Sequence, residues 1–223
     1  DGAEGPGAPQ GGGLGRRPPA VRQDGRVITA ASSESSSSPP LPPLGTTAVR
    51  AVLLDADGVL QLIGTPWYRA LSAGGGEPFA KALLSREGPA LSGRESLRDL
   101  LERLVVELDL ARGADELMAL WRQATPDPPA WQLVRELRAA GYLTVLATNQ
   151  HEERREWMRT ALGYDGLCDV DAYSCLLGAA KPDPDYFRAA LAMAGVSTGE
   201  ALFVDDSAEN IAAAAALGLR TLH

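Results

Sequence analysis

Ala51-Val52-Leu53-Leu54-Asp55-Ala56-Asp57-Gly58-Val59-Leu60 is the stretch that decides the fold. Four apolar residues run without a polar break and stop at two carboxylates, two positions apart, followed by a glycine. A run of this length suits a strand buried on both faces, as in a parallel sheet. The pattern recurs twice: Tyr142 to Ala147 ends at Thr148, and Ala201-Leu202-Phe203-Val204 ends at Asp205-Asp206. Helical patterns alternate with these runs. Ala130, Leu133, Val134 and Leu137 recur at helical spacing before Gly141. Asp183-Pro184 reads as an N-cap followed by proline, with Phe187, Ala190, Leu191 and Ala194 as one face and Gly195 as the stop. Ile211 to Leu217 ends in the same way at Gly218. Strand and helix in alternation predict an α/β fold, a doubly wound, Rossmann-like parallel sheet.

Between the first and second runs the sequence shows no strand pattern. Leu97, Leu100, Leu101, Leu104, Val105 and Leu108 follow i, i+3, i+4, i+7 spacing, and Leu117 to Trp121 predicts a further helix. This is far longer than an ordinary βα connection. Residues 62–125 are therefore expected to form a small α-helical cap over the strand ends, where such sheets bind ligands. The core is expected to comprise residues 48–61 and 126–223, with Thr125-Pro126-Asp127-Pro128-Pro129 as the return hinge. Residues 1–47 are different material. They hold Gly11-Gly12-Gly13, Ser35 to Ser38 and Pro39-Pro40-Leu41-Pro42-Pro43. Such composition buries too little apolar surface to offset ordering costs of about 1–2 kcal/mol per residue, and a disordered leader is expected.

The 223 residues carry 21 Lys+Arg against 29 Asp+Glu, a net charge of −8. No basic face is available for nucleic acid. No apolar run reaches the roughly 18 residues that cross a bilayer, so no membrane partner is expected. Cys168 and Cys175 cannot build a disulfide framework and read as free thiols of a reducing, cytoplasmic compartment. His151 and His223 are too few for a histidine-based zinc site.

Chemistry concentrates at the strand ends. Asp-x-Asp-Gly alone is a common turn. Parallel strands, however, point the same way, so Asp55, Asp57, Asp205 and Asp206 share one edge. Two carboxylates about 4 Å apart repel by about 4 kcal/mol at an effective dielectric near 20. Protonation or a bound cation must relieve this, and oxygen donors without His or Cys nearby point to Mg²⁺. Lys181 stands in a chain that otherwise uses Arg for positive charge, apart from Lys81. Its compact ammonium suits a phosphoryl oxygen. The hydroxyl of Thr148 and the N–H of Asn149 are further candidates for such an oxygen.

Together these residues resemble the haloacid dehalogenase superfamily, in order along the chain. Val52 to Leu60 matches its first motif, Thr148-Asn149 the second, Lys181-Pro182-Asp183-Pro184 the third, and Phe203-Val204-Asp205-Asp206-Ser207 the fourth. The insert's position resembles the helical cap of the phosphatase-rich subgroup. The resemblance implies a phosphatase for a small phosphorylated substrate. Asp55 would be the nucleophile and form an aspartyl-phosphate, and Asp57 would act as general acid and then base. Mg²⁺ would bind the Asp55 carboxylate, the Asp57 backbone carbonyl and Asp206, with Asp205 either reaching the metal or orienting its waters. Thr148, Asn149 and Lys181 would gather the phosphoryl charge, and Ser207 and Asn210 would partner the acidic pair. Gln61, Trp67, Tyr68 and Arg69 are expected near the crevice, Trp67 and Tyr68 as packing groups and Arg69 as a solvated charge. Glu152 to Arg159 is expected to present a solvated helical face. A phosphomutase of the same superfamily, and a catalytically idle binding or signalling domain, are the alternatives.

Overall fold

The computed structural model describes residues 49–223. The expected leader lies outside the described residues. Strand β1 (Ala51–Leu54) and the short β2 (Gln61–Ile63) precede a helical unit of α1 (Trp67–Arg86), α2 (Gly88–Leu91), α3 (Leu97–Glu107) and α4 (Ala114–Met118), closed by a 3₁₀ turn at Ala119–Arg122. Strand β3 (Ala124–Pro126) leads back into α5 (Pro128–Ala139), β4 (Leu143–Thr148), α6 (Glu152–Trp157) and β5 (Val170–Tyr173). The chain ends with α7 (Ser174–Leu177), α8 (Pro184–Ala194), β6 (Ala201–Val204), α9 (Ala208–Ala216) and β7 (Arg220–Leu222).

Five parallel strands form one sheet in the order β5-β4-β1-β6-β7. Leu53 pairs in register with Val145 on one side and Phe203 on the other. The chain leaves β1, builds β4 and β5 to one side, then crosses to build β6 and β7. The edge at β1 is thus the switch point at which doubly wound sheets open a crevice. Period 2 explains the unbroken apolar run. Leu53 packs with Phe187 and Phe203 beneath α8, while Val52 and Leu54 pack with Val134 and Tyr164 on the α5 side. Both faces are covered, so neither tolerates a polar residue.

Short strands at the sheet's edges, β5 and β7, were not anticipated from the sequence, nor were β2 and β3. The last two pair antiparallel, Leu62 opposite Thr125, and form a ribbon at the root of the helical unit. The Asp127 N–H and the Trp131 indole both donate to the Leu60 carbonyl, at 3.0 and 2.9 Å, and tie the ribbon to the sheet. The helical unit carries its own core of Phe79, Leu83, Leu100, Leu104 and Leu117. Helix α3 lies where the leucine spacing predicts it, with Ser96 accepting from the Asp99 N–H at 3.0 Å as its N-cap. Helix α1 has no comparable stripe and is kinked at Gly76 (φ 87°). Leu133, expected on the buried face of α5, is 44% exposed.

Candidate active site

The loop after β1 is wound tightly, with the Leu60 and Gln61 N–H groups both donating to the Ala56 carbonyl at 2.8 and 2.9 Å. Gly58 sits at its apex with φ +83°, and a Cβ there would overlap the Asp206 carboxylate. Only glycine fits both demands. Asp55, Asp57, Thr148, Asn149, Lys181 and Asp206 line one crevice. Asp205 lies directly beneath it, 1% exposed.

Lys181 is the hub. Its ammonium donates to the Ala147 carbonyl at 2.8 Å and to Asp205 at 2.6 Å, and lies 2.9 Å from Asp55. Three protons meet three acceptors, one from the end of each of β4, β6 and β1. The loop carrying Lys181 is fastened by Asn149, whose side chain accepts from the Lys181 N–H and donates to the Lys181 carbonyl, both at 2.8 Å. The Asn149 side chain is thereby spent on position. The Thr148 hydroxyl, 1% exposed as a residue, accepts from Gln150 at 3.0 Å.

The acidic pair after β6 divides its work. Asp205 accepts from Lys181, from the Ser207 N–H at 2.8 Å and from the Asn210 amide at 3.1 Å, so its oxygens are occupied. Asp206 is exposed and faces the crevice. Ligand oxygens of Asp55, Asp205 and Asp206 lie within 4.8 Å of one another, close enough to share a cation. Burial pushes the Asp55 carboxyl up to about 6, Lys181 opposes this, and the charges of Asp205 and Asp57 add to it. Burial, then Asp205, also raises Asp206. Four carboxylates face two cations, Lys181 and Arg154, which leaves two negative charges uncompensated. An all-oxygen donor set with this deficit fits a hard divalent cation.

Arg154 is one of several crevice residues, with Glu87, Trp121, Gln150 and His151, that the sequence did not single out. It falls in the charged run Glu152 to Arg159, yet it is 4% exposed, which corrects the expectation of a solvated face. Its guanidinium grips Asp57 in a bidentate fork, at 2.6 and 2.7 Å, and rests 4.6 Å above the Trp67 ring. Gln61 donates to the same Asp57 carboxylate at 2.5 Å. Trp67 packs on Trp121, as expected of a packing residue, but it also lines the crevice. Tyr68 and Arg69 point outward. Both cysteines are free, and burial pushes each thiol up to about 12.

A doubly wound sheet with this acid-and-lysine cluster at its switch point has the build of a hydrolase. The chain belongs to the haloacid dehalogenase-like hydrolase family, whose model matches residues 49–218. It is 32% identical over 192 residues to a phosphatase of Mycobacterium tuberculosis, covering 78% of this chain and 86% of that one. It is 34% identical over 112 residues to a sesquiterpene phosphatase of Aspergillus oryzae, covering 48% of this chain and 57% of that one. The latter match thus spans little more than half of that relative. Among solved structures, a haloacid dehalogenase family enzyme of Bacteroides thetaiotaomicron, in complex with magnesium and inorganic phosphate, superposes with a TM-score of 0.66. It is 20% identical and covers 78% of this chain and 93% of that one. Among the described residues, no helix is long and apolar enough to cross a membrane.

Proposed function

We propose that this chain is a Mg²⁺-dependent phosphatase acting on a small phosphorylated metabolite through an aspartyl-phosphate on Asp55. The observation that carries this reading is the convergence of Asp55, Asp57, Asp206 and Lys181 in one crevice at the switch point. The phosphatase names and the magnesium and phosphate complex among its relatives support it.

Asp55 Oδ attacks phosphorus while the bond to the leaving oxygen breaks, and Asp57, which takes up a proton from solvent as the Arg154 fork opens, gives that proton to the leaving oxygen. Asp57 then takes a proton from the water that attacks phosphorus in the aspartyl-phosphate, which regenerates Asp55 and frees phosphate. Lys181, the Thr148 hydroxyl and the Asn149 N–H gather the phosphoryl charge. Lys181 begins with all three protons engaged, so a phosphoryl oxygen takes over the place now held by Asp55. Arg154 and Gln61 fix where Asp57 stands. For Asp57 to reach the leaving oxygen, one of these bonds has to give way. Mg²⁺, held by Asp55, Asp206 and the Asp57 backbone carbonyl, would supply positive charge beside the phosphoryl oxygens. The occupied oxygens of Asp205 favour Asp206 as the direct ligand.

Asp57 also argues against halide displacement, which needs no proton donor. The helical unit, residues 62–125, acts as the cap that covers the substrate, with residues 48–61 and 126–223 as the core. The two free thiols accord with a cytoplasmic setting.

The test is phosphate release from a panel of phosphomonoesters with Mg²⁺. Release should stop with EDTA and return when Mg²⁺ is restored. Turnover indifferent to chelation, or none across the panel, overturns the proposal.

A further inference from the structure

The leaving group is constrained by the far end of the crevice. The cavity measures about 290 Å³, at the lower edge of the roughly 300–1,000 Å³ typical of ligand pockets. Its floor is the acid cluster. Its opposite wall comes from the helical unit: Trp67, Leu71, Leu84, Leu91 and Trp121. The two indoles stack with centroids 6.1 Å apart and planes 26° from parallel. Such a wall gains from burying hydrocarbon, about 25 cal/mol per Å² removed from water, and gives nothing to an anion.

The charged groups at this end matter as much as the apolar ones. Glu87 lines the cavity with its carboxylate 3.3 Å from His151 Nε2. Arg154 has both terminal nitrogens on Asp57 and its face on Trp67. Among the described residues lining this end, then, Arg154 keeps only its buried Nε without a partner, and Glu87 repels a second anion wherever the facing His151 is neutral. Two lining groups are nevertheless polar and unsatisfied: both ring nitrogens of His151 and Gln150 Oε1 are buried without hydrogen-bond partners. They suit a hydroxyl or similar neutral group on an otherwise apolar body.

We infer that the site selects phosphomonoesters of uncharged, largely apolar alcohols, and discriminates against substrates bearing a carboxylate or a second phosphate beside the ester. This rests on the phosphatase reading above. Trp67 and Trp121 receive the hydrocarbon, and Glu87 rejects the anion.

The test compares kcat/KM for benzyl phosphate and phosphoglycolate in the Mg²⁺-loaded protein. Both release a primary alcohol, and they differ in the group presented to the helical wall. Benzyl phosphate should be preferred by at least about tenfold, the scale of one buried methylene in a hydrophobic pocket. Glu87→Gln should narrow that ratio by raising turnover of phosphoglycolate. Trp67→Ala should narrow it by lowering turnover of benzyl phosphate. A ratio is insensitive to the fraction of protein folded, so a poorly folding variant still reports. Equal or better turnover of phosphoglycolate overturns this inference and leaves the phosphatase reading intact. An unchanged ratio in both variants also overturns it. Release from neither ester, nor from any other phosphomonoester, overturns both.

Discussion

On the floor of the crevice, strand ends and tight loops hold four carboxylates against one lysine and one arginine. Across from them, the helical unit presents two stacked indoles and a row of leucines backed by its own apolar core. The floor crowds like charges around the buried Asp55 and leaves it with a raised pKa. The opposite wall is ordinary packing. On the function proposed above, the floor carries reactivity at a cost in stability, and the wall supplies shape and exclusion of water.

Asp55→Asn is the severest attack on this contrast. Phosphate release should fall by roughly 10⁴-fold or more. The melting temperature of the metal-free protein should rise, because the substitution removes a buried charge from a repulsive cluster. A variant that loses both activity and stability would show that the floor is held together by its charges rather than strained by them.

Arg154→Ala comes next. Loss of the fork on Asp57 should lower kcat by about 10²-fold, the low end of what a placed general acid contributes, while KM changes little. Added guanidinium should restore part of the rate, a rescue that a purely structural defect would not show. Equal losses in kcat and in thermal stability, without rescue, would move Arg154 from the floor to the packing side.

The smallest effect concerns pH. The Asp55 carboxyl stands at about 6 in the fold against an ordinary 3.8, so the folded state holds this proton more tightly. Its contribution to metal-free stability is greatest below about pH 4 and is lost as pH rises towards 6. A cation bound as proposed competes with the proton for the same oxygens. Apparent Mg²⁺ affinity, read by calorimetry, should fall about tenfold for each pH unit below 6. A flat profile would mean that Asp55 does not touch the ion.

The same contrast decides what could be read from the sequence. The floor was legible because each part of it is local. A buried run that stops at a carboxylate signals a strand end wherever it occurs, and parallel topology brings such ends together. The three central strands and α3, α5, α8 and α9 follow from period and capping in the same way. Arg154 was not legible. Its neighbours are charged, and the partner that buries it, Asp57, lies 97 positions earlier. The edges β5 and β7 and the ribbon β2–β3 each carry a polar residue within their three or four positions, so none shows the unbroken apolar run that marks β1 and β6. In α1, three consecutive glycines and Pro78 break any helical stripe, although Leu71, Phe79 and Leu83 are buried. The wall's role depends on which face of each helix turns inward, and only tertiary packing sets that.

The placement of Lys181 has a practical consequence. The chain contains just two lysines. The side chain of Lys81 is 68% exposed on α1, and that of Lys181 is 1% exposed among its three acceptors. An acylating reagent applied to the native protein should therefore modify one lysine and spare the other. The stoichiometry of labelling, counted by intact mass, becomes a gauge of whether the ends of β1, β4 and β6 are still riveted together, and it needs no substrate to read.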